Sequence, residues 1–211
     1  MMTYKEFIKE YLGKKIDYDG YAGVQCVDFA KLYLDKCFGI KCGSMGDAKE
    51  WWYNRNTNPI IKKNFDFITI NNKRPTATNS VFKGDIGIRT SGTYGHIFVC
   101  DHVKGKSITY YDENGTGNHD AVTKRNKPFT NYYVTGILRK KTETMTVSAN
   151  GGLHYYEHIK SNPIGAIPNG TKVKVIVKNA GTKTVNKKKY KMCIVWFNNE
   201  QYYVAQEYLK G

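Results

Sequence analysis

Asp17-Tyr18-Asp19-Gly20-Tyr21-Ala22-Gly23-Val24-Gln25-Cys26-Val27-Asp28 decides how the rest of the chain is read. An acidic, glycine-bearing run ends in one cysteine, and Phe29 to Lys36 then carry apolar side chains at helical spacing. Cys26 therefore stands in the first turn of a predicted helix, where the dipole and unpaired backbone amides favour the nucleophilic thiolate. Counting from Asp17, the residues Asp17, Asp19, Tyr21, Gly23 and Asp28 occupy the ligand positions of a calcium-binding loop. Three carboxylates and the carbonyls of Tyr21 and Gly23 suit a hard cation that takes roughly six to eight oxygens. The fit is partial: Ala22 stands where such loops carry glycine, and Asp28 where they carry a bidentate glutamate. The plainer alternative is an acidic turn in which Asp28 caps something locally.

A cysteine nucleophile needs a base, and the base needs an orienting partner. Of the five histidines, His96 has the most suggestive setting, with Gly92 and Gly95 ahead of it and the apolar run Ile97-Phe98-Val99-Cys100 behind. The next strand-like run, Ser107 to Tyr111, ends in Asp112-Glu113-Asn114, within reach of His96 if the two runs form an antiparallel pair. Strand alternation sends Asp112 and Glu113 to opposite faces, so one of them serves His96. Asp112 is favoured and Glu113 is the alternative.

Gly23-Val24-Gln25-Cys26-Val27-Asp28-Phe29, Phe82-Lys83-Gly84-Asp85-Ile86-Gly87-Ile88, Tyr94-Gly95-His96-Ile97-Phe98-Val99 and Tyr110-Tyr111-Asp112-Glu113-Asn114-Gly115, in that order, resemble the CHAP family (cysteine, histidine-dependent amidohydrolase/peptidase). The resemblance runs from about residue 5 to residue 139. It implies an α+β papain-like fold and cleavage of amide bonds in bacterial peptidoglycan, with Cys26 as nucleophile and His96 as general base and then acid. Family members usually show Glu-Gln-Asn after the second strand, so Asp112 stands for the glutamate, Glu113 for the glutamine and Asn114 for the asparagine. The resemblance gives Asn114 a part in positioning His96, and gives Gln25 a share of the oxyanion hole with the Cys26 backbone amide. Phage lysins of the family with this acidic pattern bind calcium there, which supports calcium at Asp17, Asp19, Tyr21, Gly23 and Asp28. The resemblance leaves open whether the bond cut lies in the stem or cross-bridge or is N-acetylmuramoyl-L-alanine; it leans towards an endopeptidase.

From Met145 on, short strand-like runs alternate with Gly and Pro turns, a pattern of small all-β barrels. Gly151-Gly152-Leu153-His154-Tyr155-Tyr156, Ile167 to Val175, Ile194-Val195-Trp196 and Tyr202 to Leu209 resemble a bacterial Src-homology-3-type cell-wall-binding domain. The expected organisation is a catalytic domain over residues 1–139, a linker over 140–144 and a wall-binding domain over 145–211. Tethering a cutter to an insoluble substrate raises its local concentration. Of Tyr155, Tyr156, Trp196, Tyr202 and Tyr203, strand alternation makes about half core and leaves the rest for a binding surface.

The net charge is +15, with 20 basic and 14 acidic residues before Arg139 but 10 and 3 from Met145 on. Eight lysines lie between Lys172 and Lys191. With no nucleic-acid motif beside them, they point to anionic wall polymers, or in part to a solvated basic loop over Gly181 to Lys189. The five cysteines form no CxxC pair, which argues against zinc and for free thiols made in a reducing compartment. The opening residues are charged throughout, without the apolar core of a signal peptide, and no run approaches the ~18 apolar residues of a membrane span. With the resemblance, this places synthesis in a host cytoplasm and action on the wall, by a protein expected to be a monomer.

Overall fold

A computed structural model describes residues 1–70 and 81–211. The chain divides into two compact units, Ile8–Lys140 and Met1–Phe7 with Lys141–Gly211. The first seven residues thus go with the C-terminal unit, not with the catalytic domain expected over 1–139. The expected 140–144 linker is also mostly strand, because β6 (Gly136–Lys140) ends and β7 (Glu143–Val147) begins inside it.

Helix α1 (Tyr4–Tyr11) spans the division, and the larger unit is an antiparallel six-stranded sheet with helices α2 (Cys26–Phe38), α3 (Ala48–Tyr53) and α4 (Pro59–Asn64). Its strands are β1 (Phe65–Thr69), β2 (Ile86–Arg89), β3 (His96–Lys104), β4 (Ser107–Asp112), β5 (Thr123–Pro128) and β6, in the order β1-β6-β2-β3-β4-β5. α2 packs against β3. It buries Phe29, Ala30, Tyr33 and Leu34 completely, and each large side chain of that kind contributes about 1.5–3 kcal/mol. Gly39 ends the helix in the left-handed conformation at φ 66°. Phe98, Cys100, Ile108, Tyr110, Val134 and Ile137 form a core cluster on the sheet. Gly87 is needed beneath it, because a Cβ there would lie 2.0 Å from the Phe98 ring. Trp51 and Trp52 are both core. The Gly84-Asp85 turn is locked by a buried pair, Arg139 Nη2 donating to Asp85 Oδ2 at 2.6 Å. Tyr132 and Tyr133 lie in a turn ahead of β6.

The smaller unit is a seven-stranded antiparallel sheet. To β7 it adds β8 (Leu153–Tyr156), β9 (Gly165–Ile167), β10 (Lys172–Val185), β11 (Lys188–Phe197), β12 (Glu200–Ala205) and β13 (Leu209–Lys210). Register shifts between Val175 and Gly181 let the long β10 bend while staying paired with β11. Lys-rich Gly181–Lys189 is not a loop. It forms the tip of the β10–β11 hairpin, turned by Asn186-Lys187 at φ 48° and 66°, and its alternating Thr and Lys residues face neighbours across the strand pair. Tyr156 and Tyr203 are core, while Tyr155, Trp196 and Tyr202 are half-buried.

Met1–Phe7 holds to this sheet by polar contacts. The Tyr4 amide donates to Gln201 Oε1 at 2.8 Å, and the Tyr203 hydroxyl lies 2.6 Å from Glu6 Oε2 and 2.7 Å from the Met1 carbonyl. His158 Nδ1 reaches Glu6 Oε1 at 2.7 Å.

Candidate active site

Cys26 opens α2, after Gln25 in an extended conformation at φ −133° and ψ 153°. Asp28, third residue of the helix, turns back so that its Oδ2 accepts from the Gln25 amide at 3.2 Å. This fixes the entry angle of the helix and hence the direction of the thiol. Opposite it, Gly95 delivers His96 to the start of β3. Gly95 has φ 72°, and a Cβ there would lie 2.7 Å from the Arg89 carbonyl and 2.8 Å from Lys49, so no other residue fits this turn.

β3 and β4 are antiparallel, pairing Val99 with Tyr111 and Cys100 with Tyr110. That register sets Asp112, the last residue of β4, beside His96, with Oδ2 2.8 Å from Nε2. His96 is 7% exposed and Asp112 1%. The Cys26 sulfur lies near enough to the same imidazole to favour its charged form. Burial opposes charge on His96, but the Asp112 carboxylate and the Cys26 sulfur outweigh it and lift the imidazole to about 9. The centre is therefore a cysteine sulfur, an imidazole held cationic, and a buried acid that aims it.

Glu113 faces the other way. It is fully buried, its Oε1 accepts from the Ile16 amide, and its Oε2 has no hydrogen-bond partner among the described residues. Burial first, then the nearby Asp28, Asp120 and Asp112, push its carboxyl up to about 8. It stands protonated at neutral pH, a neutral group beside the charged Asp112.

Two residues are used differently from the sequence expectation. Gln25 Nε2 donates to the Tyr21 carbonyl at 3.2 Å, which commits one of its two amide hydrogens to the acidic loop. Asn114, in the left-handed conformation at φ 52°, accepts the His119 amide at 2.9 Å with its side chain. It braces the turn that follows Asp112 rather than the imidazole. His119 in turn places Nδ1 3.0 Å from the Val24 carbonyl, two residues before the nucleophile.

The acidic loop brings carboxylate oxygens of Asp17, Asp19 and Asp28 within 4.8 Å of one another. Asp28 is 1% exposed, and its Oδ1 has no hydrogen-bond partner among the described residues. Burial, then Asp19 and Asp17, raise its carboxyl to about 6 against the opposing pull of Lys31. Lys31, buried on α2, gives its ammonium to Asp19 Oδ2 at 2.6 Å. The Tyr21 side chain is exposed and Gly23 has none, so each offers the loop a carbonyl. An orphaned buried carboxylate oxygen among convergent acids fits a hard divalent cation.

Sequence reasoning missed three residues here: Lys31, Asp120 and Arg125. Arg125 Nε donates to Asp112 Oδ1 at 2.6 Å, and its Nη2 pairs with Asp120. Both cations sit among many others of the same kind, and nothing local to them marks the pairing.

Residues 16–114 match the CHAP domain family. No curated protein matches the chain. Among solved structures it is similar to a wild-type endolysin, LysIME-EF1, at 18% identity and a TM-score of 0.49, over 90% of this chain and 78% of that one. It is also similar to Ly7917, at 17% identity and a TM-score of 0.43, over 96% of this chain and 90% of that one.

Proposed function

We propose that this chain, which carries a CHAP domain over residues 16–114, is a peptidoglycan hydrolase that cleaves an amide bond by cysteine nucleophilic catalysis. The observation that carries the reading is the convergence of Cys26, His96 and Asp112, with Asp112 Oδ2 2.8 Å from the imidazole and the Cys26 sulfur near enough to favour its charge. Cys26 Sγ attacks the carbonyl carbon while its proton resides on His96. The oxyanion is held by the Cys26 backbone amide, which has no partner within the helix, and by the second hydrogen of the Gln25 amide. His96 then gives its proton to the leaving amine, and a thioester remains. The neutral imidazole takes a proton from water, whose oxygen attacks the thioester. The acid product leaves and the thiolate–imidazolium pair returns.

The substrate is read as a stem or cross-bridge peptide. The smaller unit is read as a Src-homology-3-type wall anchor. Its lysine-rich hairpin and a cleft of about 610 Å³ lined by Asn150, His154, Tyr156, Lys183, Tyr190 and Tyr208 suit an anionic polymer or peptide. Calcium is read as the ion of the acidic loop, held by Asp17, Asp19 and Asp28 with the carbonyls of Tyr21 and Gly23. It would neutralise the loop that aims Cys26. Among the described residues no helix is long and apolar enough to cross a membrane.

The test is mass spectrometry of fragments released from Gram-positive peptidoglycan by the wild type, Cys26→Ala and an EDTA-treated sample. New peptide amino termini that vanish with Cys26→Ala support the endopeptidase. Free N-acetylmuramoyl groups paired with L-alanine termini make the chain an amidase. No release from several wall types overturns the enzyme and leaves a wall-binding module.

A further inference from the structure

We propose that Arg125 is a positioning residue of the cysteine–histidine centre: it clamps Asp112 to the turn of residues 114–120, and through that turn to the backbone ahead of Cys26. The proposal rests on the cysteine-hydrolase reading and extends it to a residue outside the motifs.

Asp112 has two oxygens and both are taken. Oδ2 lies against His96 Nε2 at 2.8 Å, and Oδ1 accepts from Arg125 Nε at 2.6 Å. Without the second contact, a short carboxylate at a strand end would turn about its own axis and present either oxygen, or neither, to the ring. The register β4 to β5 pairs Asp112 with Thr123 and Tyr110 with Arg125, so the guanidinium reaches the acid along the edge of the sheet from a defined place.

The other arm of the fork holds the turn. Arg125 Nη2 pairs with Asp120, whose Oδ1 accepts from the Thr116 amide at 3.0 Å and the Thr116 hydroxyl at 2.7 Å. The Asp120 carbonyl accepts the Asn114 amide at 2.9 Å. The closed turn presents His119 to the Val24 carbonyl. One guanidinium thus links the acid of the centre to the backbone that leads into the nucleophile. A lysine offers a point charge and cannot bridge two carboxylates in this fixed geometry.

Gly115 is an independent sign that the pair is tightly seated. A Cβ there would lie 2.4 Å from Asp112 Oδ2 and 2.5 Å from Arg125 Nε. Its backbone is not in the left-handed region, so the demand for glycine here is the space that the ion pair takes up.

The experiment measures iodoacetamide alkylation of Cys26 at pH 6, followed by peptide mass spectrometry, together with kcat and KM for wall lysis. The alkylation needs no wall substrate, so it separates this proposal from the hydrolase reading. Cys42 is the internal reference, because burial pushes its thiol up to about 11. Arg125→Met is expected to slow Cys26 alkylation about tenfold, because the imidazole beside the sulfur loses its fixed acid. It should lower kcat about 10- to 100-fold with KM little changed. Arg125→Lys should fall between the two, and Asp120→Asn should have the smaller effect, since it spares the contact to Asp112. Arg125→Met in an Asp112→Ala background should add nothing further. If the alkylation follows Arg125 but no wall is cut by any sample, the hydrolase reading fails and the clamp stands. If Arg125→Met lowers the melting temperature while Cys26 alkylation and kcat match the wild type, the residue is merely structural and the proposal is overturned.

Discussion

Asp112 and Asp28 are buried to the same degree, each 1% exposed, and their surroundings are opposite. Asp112 has one oxygen on a histidine and the other on an arginine. Asp28 has one oxygen on a backbone amide, the other on nothing among the described residues, and two further carboxylates close by. The first acid is balanced by the protein itself. The second is left for something else to balance. Burial alone therefore does not define an acid's role; the count of positive partners does.

The comparison is broken hardest at the balanced centre. Cys26→Ala and His96→Ala should each reduce wall cleavage by a factor of about 10³ or more, with the double variant scarcely worse, because the two act as one unit. Cleavage should hold through neutral pH and fall as pH rises through about 9, where His96 loses its proton. The sign for stability follows from the same shift. The folded state binds this proton more tightly than the unfolded state, so the stabilisation is fully present below about 6.5 and is lost as pH climbs through about 9. Fluorescence-detected urea titrations across that range check it. A flat stability profile from pH 6.5 to 9.5 in the wild type, or an identical slope in His96→Ala, would sink the assignment.

The unbalanced acid should respond to metal where the balanced one does not. Calcium at a hundredfold excess over its dissociation constant should add about 2.7 kcal/mol to unfolding. Asp28→Asn should abolish most of that gain, and Asp112→Asn should leave it intact. Isothermal titration and thermal melts with and without EDTA read both. Equal calcium responses in wild type and Asp28→Asn would place the ion elsewhere.

Glu113 sharpens the contrast from the other side, as an acid that solves its burial by keeping its proton. Its carboxyl is raised to about 8 against an ordinary 4.5, so the folded state holds a proton that the unfolded state has released over that window. Stability therefore falls as pH rises from about 4.5 to 8. Glu113→Gln keeps the acceptor for the Ile16 amide and removes the ionisation. It should gain roughly 3 kcal/mol near neutral pH and nothing below about pH 4.5. A variant no more stable than wild type at pH 7.5 would mean that Glu113 ionises in place.

Much of this was legible from residue order alone. Cys26, His96 and Asp112 lie in short, distinctive contexts, and period-two alternation sends Asp112 and Glu113 to different sides. The convergence of Asp17, Asp19 and Asp28 could be read because their spacing is local. What escaped has one cause: partners far apart in the chain or chosen from many equivalents. Arg125 stands in Lys124-Arg125-Asn126-Lys127, where nothing but the β4–β5 register tells one cation from the next. The anchoring of Glu6 by Tyr203 and His158 spans well over a hundred residues. Asn114 and Gln25 were assigned to the chemistry by resemblance, and the turns they brace became visible with the backbone. The hairpin at Asn186-Lys187 leaves a loop open as the partial alternative in the sequence, because lysines on a solvated strand look like lysines in a loop.

Lys31 offers the finest division between the two acids, since it is the unbalanced cluster's own partial answer. Its ammonium holds Asp19 Oδ2 at 2.6 Å from a buried stem, which lowers the Asp19 carboxyl and opposes the rise at Asp28. One positive charge among three carboxylates leaves the loop short, and its attachment to Asp19 is a contact that an incoming cation must share or displace. Lys31→Met keeps the buried stem and removes the charge. In EDTA the variant should lose about 1 kcal/mol, within the range for a half-exposed pair, because the carboxylates then repel without a counter-charge. In excess calcium the difference should close, and the variant should bind calcium more tightly than the wild type by a few-fold. Paired melts and calorimetric titrations separate the cases. If the loss is the same with and without calcium, Lys31 is a packing residue of α2 and has no bearing on how the acidic loop is balanced.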